Sequence, residues 1–582
     1  MCRGILFGLV WMLFTASGMA RSGGLPMAQD QREPPRSMPL GVRASDAEHG
    51  LAGAGPMVRM AYLIPPGRVA QPRAVETLRY AVVAWQSWYR EQMLQHGLGP
   101  RTFVYETEAD GVTPRVHVVG VAQSDAYLRG DIWGRVSDAA SGAGITVWAA
   151  GEVWLLVPEI HVQNSDGSID GGVALGGSWG SGTDGGVAMI GSNALAVMRP
   201  EFLRDDRAYG GMVIEELGEY PLVDSVSFAW FEGTTLSELH STYLGAALHE
   251  LSHGFGLPHD MRNDANFRGN LMGNGLRGIR GSFLPGAYAQ HFTRLSRGNA
   301  LAVHTSRYFN RESAESAKPQ LVTRVAEAGI GTGNRLEIPV VCSDIAGLGS
   351  LHLGFKGERV ECLLLTGNVY NGVVSTAFYE PGVSGDYSLQ LYDASGNRTD
   401  REFTLIGPQT SNRPPRAVLK ASPQVATWGT VVRLDPRETS DPDDSLSALR
   451  FEYDYDGDGI YDTEPLTSLL HSFRPERPGC YLIGIRVTDG RGGEGFSVPV
   501  PVLVHAPELR VETEDTGRSL WWEARLGFGY RLQHAGEWAQ WVDATAEPVM
   551  GTGLAEMWML DTSGPWLAPG RGFFRVTAGL AE

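Results

Sequence analysis

The sequence predicts a multidomain protein in which a mixed α/β region is followed by several all-β modules. At 582 residues the chain is too long for one compact core, so several domains are expected, each able to fold alone. Between residues 57 and 310, a strand, a long helix and further strands follow one another, which is typical of an α/β layer. Beyond residue 320 the segments become short and alternating, with turn residues between them, as in β-sandwiches.

The first 20 residues have the pattern of a secretory signal peptide. They run from Arg3 through an apolar stretch to small residues that end at Ala20. The alternative, an N-terminal membrane anchor, is disfavoured because the apolar run is shorter than the ~20 residues that a span needs. Residues 21–56 lack periodicity and are predicted to be a flexible or pro-peptide-like leader. No later segment is apolar enough to cross a bilayer, so we expect a secreted protein.

Export would place three cysteines in an oxidising compartment, because Cys2 leaves with the signal. Cys342 and Cys362 can close a small loop, which leaves Cys480 without a partner. Cys480 lies in a strand-like segment, where a buried free thiol is the expected state. The sequence does not decide the pairing.

The net charge excludes two classes of partner. The formal charge is -18 at pH 7, with 66 acidic and 48 basic residues. Nucleic acid and anionic membrane surfaces both require a basic face on the protein. We therefore expect no nucleic-acid partner.

The α/β region opens with a strand and a helix. Apolar residues from Val75 to Met93 recur at helical spacing after Pro72 and stop before Gly97. The glycine-rich stretch 171–192 is predicted as an exposed loop around a short strand, and it lacks the lysine of a phosphate-binding loop. Strands are predicted at 59–65, 101–108, 115–121, 144–150 and 152–160.

A second helix carries the residues that predict chemistry. Thr235 and Glu238 form a capping-box pattern, so a helix is expected to begin after Thr235. His249 and His253 lie four positions apart on one face of that helix, about one turn from each other. At this separation two imidazoles can bind one zinc ion.

A third ligand is required, and the residues after the helix supply a candidate. Gly256 can adopt a positive φ, end the helix and bring His259 back towards the metal. Three imidazoles leave the fourth zinc position for water, whose proton Glu250 is placed to accept. The pattern HExxH occurs by chance on ordinary helices, but Gly256 and His259 at fixed offsets make a chance match rare.

The stretch from Thr235 to Gly275 resembles the metzincin zinc peptidases, whose motif is HExxHxxGxxH followed by a Met-turn. The resemblance implies one catalytic zinc ion and Glu250 as the general base. It implies Gly256 as the turn after the helix. The residues that match the family's zinc ligands are His249, His253 and His259.

Two further residues match the family and one departs from it. Asp260 is similar to the aspartate of the reprolysin and snapalysin branches, where it has a structural role, and Met272 matches the Met-turn methionine. The tyrosine that astacin-like and serralysin-like members place two residues after the methionine is here Asn274. Oxyanion stabilisation would then come from elsewhere, with Tyr288 or His291 as candidates.

The resemblance also implies the shape of the α/β region. A metzincin fold has a twisted sheet, an active-site helix below it and an edge strand that pairs with extended substrate. Residues 187–190 are the candidate edge strand. No cysteine switch is present, because Cys2 is the only cysteine before the motif.

Residues 414–505 resemble a PKD domain, an Ig-like β-sandwich found on secreted microbial enzymes. The run from Tyr453 to Asp462 places aspartates at four EF-hand positions, yet the twelfth position is Pro465 where an EF-hand has Glu. A PKD hairpin is therefore preferred, with Ca²⁺ binding left open.

The two remaining modules flank this one. Residues 321–406 look Ig-like, and residues 508–582 resemble small terminal β modules of exported bacterial proteins. The last module is rich in tryptophan, which either stacks on sugars or fills a small core, and core filling is preferred.

The sequence therefore predicts a secreted, extracellular or cell-surface zinc endopeptidase, of bacterial origin, that acts on a protein or peptide. Its β modules would attach it to extracellular matrix, a cell surface or polysaccharide. One alternative is an adhesion or carbohydrate-binding protein whose peptidase-like domain is inactive. Another is a zinc hydrolase of a non-peptide substrate. Cleavage specificity, an inhibitory role of the leader, and oligomeric state are not predicted.

Overall fold

The computed structural model describes most of the chain from residue 56 onward. The described residues are 56–163, 169–179, 185–208, 235–260, 267–309, 317–514, 517–535, 542–543, 548–551, 555–559 and 573–581. The predicted signal and, except for Pro56, the predicted leader lie outside them. An α/β region is followed by β-sandwich modules, so the predicted multidomain fold class is confirmed. Among the described residues, no helix combines the length and the apolar character needed to cross a membrane.

The α/β region is built on one five-stranded sheet. The described strands of the whole region, inside and outside this sheet, are β1 (Met57–Ile64), β2 (Val116–Gly120), β3 (Glu152–Pro158), β4 (Val162–Gln163), β5 (Ile169–Asp170), β6 (Ala174–Trp179), β7 (Gly185–Ile190), β8 (Arg268–Asn270) and β9 (Phe292–Arg294). The sheet has the order β2-β1-β3-β7-β6, in which β6 alone runs antiparallel to its neighbour. The pairs β4–β5 and β8–β9 are separate two-stranded sheets.

Helices cover both faces of this sheet. They are α1 (Ala74–Gln95), α2 (Asp125–Arg129), α3 (Ile132–Gly142), α4 (Asn193–Val197), α5 (Leu236–Gly254), α6 (Arg280–Phe283) and α7 (Arg297–Thr305). Strand β1 shows the two faces: Met60 and Tyr62 join the core with α1 and α5, whereas Ala61 and Leu63 join the core with α2 and α3. Such two-sided burial is typical of parallel sheets. The indole nitrogen of Trp85 on α1 donates to the carbonyl of Leu244 on α5 at 3.0 Å, which ties the two helices together.

Some predicted elements are confirmed and others are wrong. Strands β1, β2 and β3 and helix α1 form where they were predicted. The predicted strand at 101–108 makes only isolated bridges. The predicted strand at 144–150 is a turn, because Gly144 and Gly151 adopt φ of 90° and 79°. Ile145 and Val147 pack into the core from this turn, whereas Trp148 is half exposed. The stretch 171–192 is not an exposed loop: it contains β6 and the fully buried β7.

The first two β modules are two-sheet sandwiches. The first contains β10 (Gln320–Thr323), β11 (Gly329–Ile330), β12 (Leu336–Ser343), β13 (Leu348–Phe355), β14 (Glu358–Leu364), β15 (Val369–Thr376), β16 (Ser384–Asp393) and β17 (Arg398–Ile406). The second contains β18 (Lys420–Ser422), β19 (Val425–Thr427), β20 (Val432–Asp435), β21 (Arg450–Asp454), β22 (His471–Phe473), β23 (Gly479–Thr488), β24 (Glu494–Phe496) and β25 (Val500–His505). Each has its own buried apolar core.

The last module is also all-β. Its strands are β26 (Arg510–Glu514), β27 (Gly517–Glu523), β28 (Phe528–Ala535), β29 (Val542–Asp543), β30 (Val549–Met550), β31 (Ala555–Met559) and β32 (Phe573–Leu580). Trp522 is buried in its core, as core filling requires. Trp538, Trp541 and Trp566 lie outside the described residues.

The β modules pack against the α/β region, which the sequence did not predict. The core between the sheet and α1 also contains Tyr392 of the first module and Leu526 and Ala581 of the last. The backbone amide of Gly286 donates to the carbonyl of Ala581 at 2.8 Å. Removal of the last module would therefore expose part of the core of the α/β region.

The described cysteines form no disulfide. Cys342 lies on β12 and Cys362 on β14, and these strands belong to different sheets. The open possibility of a Cys342–Cys362 bridge is therefore not realised. Cys480 is exposed rather than buried, because β23 presents this end of the strand at the surface. The prediction of a buried thiol is wrong at that position.

Candidate metal centre

Helix α5 carries the motif, and its N-terminus is fixed by the predicted cap. The hydroxyl of Thr235 accepts from the backbone amide of Glu238 at 3.2 Å, and the Glu238 carboxylate accepts from the amide of Thr235 at 3.1 Å. Both halves of the predicted capping box are therefore present. The helix is buried along nearly its whole length between the sheet and the segments that follow it.

The structure brings the three predicted histidines together. The Nε2 atom of His253 lies 3.1 Å from the Nε2 atom of His249 and 3.1 Å from that of His259. His249 is buried, whereas His253 and His259 are partly exposed. The cluster therefore opens to solvent on the side of His253 and His259.

Hydrogen bonds orient two of these imidazoles. The Nδ1 atom of His249 lies 2.7 Å from the carbonyl oxygen of Leu271, and that of His253 lies 2.8 Å from the carbonyl oxygen of Leu257. Since a carbonyl only accepts, each Nδ1 carries the proton and each Nε2 presents its lone pair to the cluster. Burial lowers the pKa of all three histidines, that of His253 to about 4. The rings are therefore neutral at pH 7, which is the form that binds metal.

This donor set fits zinc. Neutral lone pairs that converge without a proton between them repel one another, and a cation in their midst removes that repulsion. A tetrahedral zinc ion with Zn–N bonds of ~2.0–2.1 Å separates its ligand nitrogens by about 3.3 Å. The observed separations of 3.1 Å lie close to that value.

Glu250 follows the first histidine on α5, where β6 of the sheet approaches its backbone. Glu250 is 7% exposed, and burial raises the pKa of its carboxyl group to about 8. A Cβ atom on Gly176 of β6 would lie 2.3 Å from the carbonyl oxygen of Glu250. The absence of a side chain at Gly176 is what allows β6 to approach the helix this closely.

The turn that delivers the third histidine has the predicted conformation. Gly256 adopts φ of 86°, in the left-handed region that favours glycine. A hydrogen bond stabilises the segment after His259: the amide of Asp260 donates to the carbonyl of Met272 at 2.9 Å. The side-chain amide of Asn270 donates to the carbonyl of Asp260 at 3.2 Å. Asp260 and Met272 are both fully buried.

The first β module also contacts this turn, through residues that sequence reasoning missed. Arg398 on β17 approaches the carbonyl of Gly256 with its Nη1 atom at 3.5 Å. Arg359 on β14 is buried. Burial lowers the pKa of its guanidinium, whereas the negative charge of Asp260 raises that pKa. Arg398 and Gly256 are 142 positions apart, so no local pattern could reveal the contact.

The sheet edge above the helix is β6, not the predicted strand 187–190. Strand β7, which contains Val187 and Ile190, pairs with β3 on one side and with β6 on the other. Strand β6 ends the sheet, and its outer edge pairs with no strand among the described residues. The apolar run at 187–190 marks an interior strand, because an interior strand is covered on both faces.

The two candidates for oxyanion stabilisation lie far from the histidines. The hydroxyl of Tyr288 lies 3.1 Å from Ser237 Oγ at the start of α5, about 20 Å along the helix from Glu250 at 1.5 Å per residue. His291 accepts from Arg280 at 2.8 Å in the same cluster. Both assignments are therefore wrong. Asn274 begins a short 3₁₀ helix, Asn274–Gly278, and accepts from Arg277 at 3.3 Å.

A cluster of aspartates lies in the second β module. Carboxylate oxygens of Asp454, Asp456 and Asp458 lie within 4.8 Å of one another. Both carboxylate oxygens of Asp454 accept backbone amides of the loop, including Gly457 at 2.7 Å and Gly459 at 2.9 Å. These bonds account for the loop's shape without an ion, and Ca²⁺ binding there stays a prediction.

Among known proteins, this chain shows similarity only to solved structures. No family model matches the chain, and no curated protein matches it. Catalytically inactive OgpA from Akkermansia muciniphila, in complex with an O-glycopeptide (glycodrosocin) substrate, is similar at 14% identity and a TM-score of 0.41, over 61% of this chain and 94% of that one. Wild-type OgpA is similar at 15% identity, with the same coverage and TM-score.

The β modules have their own neighbours. Fibronectin(III)-like modules of Clostridium thermocellum CbhA are similar at 11% identity and a TM-score of 0.14, over 32% of this chain and 94% of that one. Carbohydrate-binding modules of the β-sandwich superfamily are similar at 14% identity and a TM-score of 0.16, over 30% of this chain and 94% of theirs. These values are low.

Proposed function

We propose that this protein is a secreted zinc-dependent endopeptidase of the metzincin type. The observation that carries the proposal is the convergence of three neutral imidazole nitrogens beside a buried glutamate, below a sheet edge that pairs with no strand among the described residues. His249, His253 and His259 would hold the ion. When bound, zinc acts as a Lewis acid that polarises a carbonyl and makes water more acidic.

Glu250 is the proposed general base. Its position next to His249 and its burial would let it take a proton from the attacking water and later pass it to the leaving amine. The low polarity around the carboxylate strengthens its response to a nearby cation. His253 and His259 border the open side of the cluster, where a substrate would enter.

Strand β6 is the proposed substrate guide. An extended peptide can add to a free sheet edge through main-chain hydrogen bonds, with little dependence on sequence. Because β6 approaches the backbone of Glu250 closely, such a peptide would lie near the helix that carries the base. A peptide bond, rather than an ester or a glycosidic bond, is therefore the preferred substrate. Extracellular action, and attachment through the β modules to matrix, a cell surface or polysaccharide, belong to the same proposal.

The test is zinc content and hydrolysis measured on the same preparations. Zinc per chain would be determined by elemental analysis, and cleavage would be followed on casein, a peptide library and matched O-glycosylated peptides. Wild type would be compared with Glu250→Ala and with Glu476→Ala, an exposed glutamate of the PKD-like module that serves as the control.

We expect one zinc per chain in all three proteins, with cleavage lost only in Glu250→Ala. Zinc without cleavage of any peptide, together with cleavage in an ester or glycan panel, would favour a non-peptide hydrolase. Zinc with no hydrolysis in either panel, and sugar binding by the full chain, would favour the adhesion alternative. Absence of zinc from wild type would contradict the proposal.

A further inference from the structure

A cavity lies where the α/β region and the first two β modules meet. Its volume is about 270 Å³. Arg294 and Arg297 of the α/β region, Phe378 of the first module, and Arg416 and Ser440 of the second line it. Three arginines therefore line one cavity in a protein whose net charge is -18.

Two of these arginines have no carboxylate partner among the described residues. The Nη1 atom of Arg297 donates to the backbone carbonyl of His96 at 2.6 Å, and burial lowers the pKa of this guanidinium. The guanidinium of Arg416 lies over the ring of Phe378, 5.2 Å from its centroid. The Nε atom of Arg416 is buried and makes no hydrogen bond within the described structure. The pKa of Glu380 is lowered mainly by a hydrogen bond from Lys356, at 2.7 Å, and to a smaller extent by the charge of Arg416.

The cavity also includes the N-terminus of α7. Ser296 caps this nine-residue helix by accepting from the amide of Asn299 at 3.4 Å, and both Ser296 and Arg297 line the cavity. The positive end of the helix dipole therefore points to the same space as the arginines. No aspartate or glutamate belongs to the described lining.

We propose that this cavity is a binding site for a small oxyanion, which bridges the α/β region and the first two β modules. Arg416 of the second module, together with Arg297 and the first turn of α7, supplies positive charge to the cavity from different domains. Planar guanidinium groups bind carboxylate, sulfate and phosphate oxygens with two parallel hydrogen bonds. The volume is below that of sites for drug-sized ligands, so the ligand is an inorganic oxyanion or the acidic group of a sugar acid. The inference does not depend on the proposed peptidase activity.

Binding would be measured on the full chain by isothermal titration calorimetry and by thermal unfolding. The probes are sulfate, phosphate and D-glucuronate, with D-glucose as the neutral control and sodium chloride at matched ionic strength. The variants are Arg416→Gln and Arg416→Lys. The control is Arg433→Gln, an exposed arginine of the same module.

At least one oxyanion should bind wild type and Arg433→Gln with equal affinity and raise the unfolding midpoint beyond the effect of chloride. Arg416→Gln should bind it about tenfold more weakly or worse, because the variant lacks the charged hydrogen-bond donor. Arg416→Lys should bind with intermediate affinity, which also shows that the module folds with this position changed. A preference for glucuronate over sulfate and phosphate would identify a sugar acid as the source of the oxyanion, and the reverse order an inorganic ion. Absence of binding by all three oxyanions at 10 mM (about a hundredfold above a typical metabolite-binding constant), or equal affinity in wild type and Arg416→Gln, would overturn the proposal.

Discussion

Glu91 on α1 and Arg525 of the last β module form a buried bidentate ion pair. The Nη2 and Nε atoms of the guanidinium lie 2.8 and 3.0 Å from the two carboxylate oxygens, and the side chains are 4% and 9% exposed. The pair joins positions 434 residues apart in the chain. It makes the last module part of the support of the α/β region, rather than a detachable appendage.

Replacement of one partner of this pair should be strongly destabilising. Arg525→Met leaves a buried carboxylate without its partner, for which a loss of about 3–5 kcal/mol is expected. Arg531→Met, whose partner Asp543 is exposed, should cost less than about 1 kcal/mol. The double variant Glu91→Leu with Arg525→Met should recover much of the loss. Urea unfolding checks this, and equal stability of Arg525→Met and Arg531→Met would show that the buried pair contributes nothing specific.

Gly256→Ala should weaken zinc binding. An alanine at φ of 86° costs about 1–2 kcal/mol, and relief of that strain would move the turn that carries His259. Gly429 has φ of 91° and open space around its Cβ position, so Gly429→Ala introduces similar strain away from the histidines. Zinc affinity measured by competition with a chelator should fall in Gly256→Ala and stay unchanged in Gly429→Ala. Similar affinity in both variants would exclude a special role for this turn.

Gly176→Ala should lower peptidase activity without removing zinc. The added Cβ would lie 2.3 Å from the carbonyl of Glu250, so β6 must move away from the helix. Overpacking of this kind costs about 1–3 kcal/mol, and we expect kcat/KM to fall by about tenfold or more. Gly120→Ala on β2, at the other side of the sheet, meets no atom within 4 Å and is the control. Full activity in Gly176→Ala would remove β6 from the proposed substrate path.

Stability should decline as the pH falls from about 6.5 towards 4. Burial lowers the pKa of His96 to about 3 and that of His240 to about 4, whereas in the unfolded chain both titrate near 6.5. In that window the unfolded state binds more protons than the native state, so protonation favours unfolding. His96→Gln should show a shallower dependence of unfolding free energy on pH than wild type, by up to about 1.4 kcal/mol per pH unit. Identical slopes for both proteins between pH 4.5 and 6.5 would contradict the assignment.

Local patterns were sufficient for several elements. The capping box at Thr235 and Glu238, the helical spacing in α1 and the need for positive φ at Gly256 each depend on interactions within a few residues. Such interactions are encoded in adjacent side chains, so the sequence states them directly. The same reasoning failed at 144–150, where Ile145 and Val147 supply core contacts from a turn.

The sequence by itself determined that the chain is multidomain, and it predicted the helix and the turn that carry His249, Glu250, His253 and His259. Only the tertiary structure decided that β6 rather than β7 forms the sheet edge, that Tyr288 lies at the far end of α5, and that Arg398 and Arg525 contact the α/β region from distant modules. The physical reason is that strand order and domain packing depend on contacts between residues far apart in the chain. Those contacts leave no periodic or spacing signal in the residues that make them.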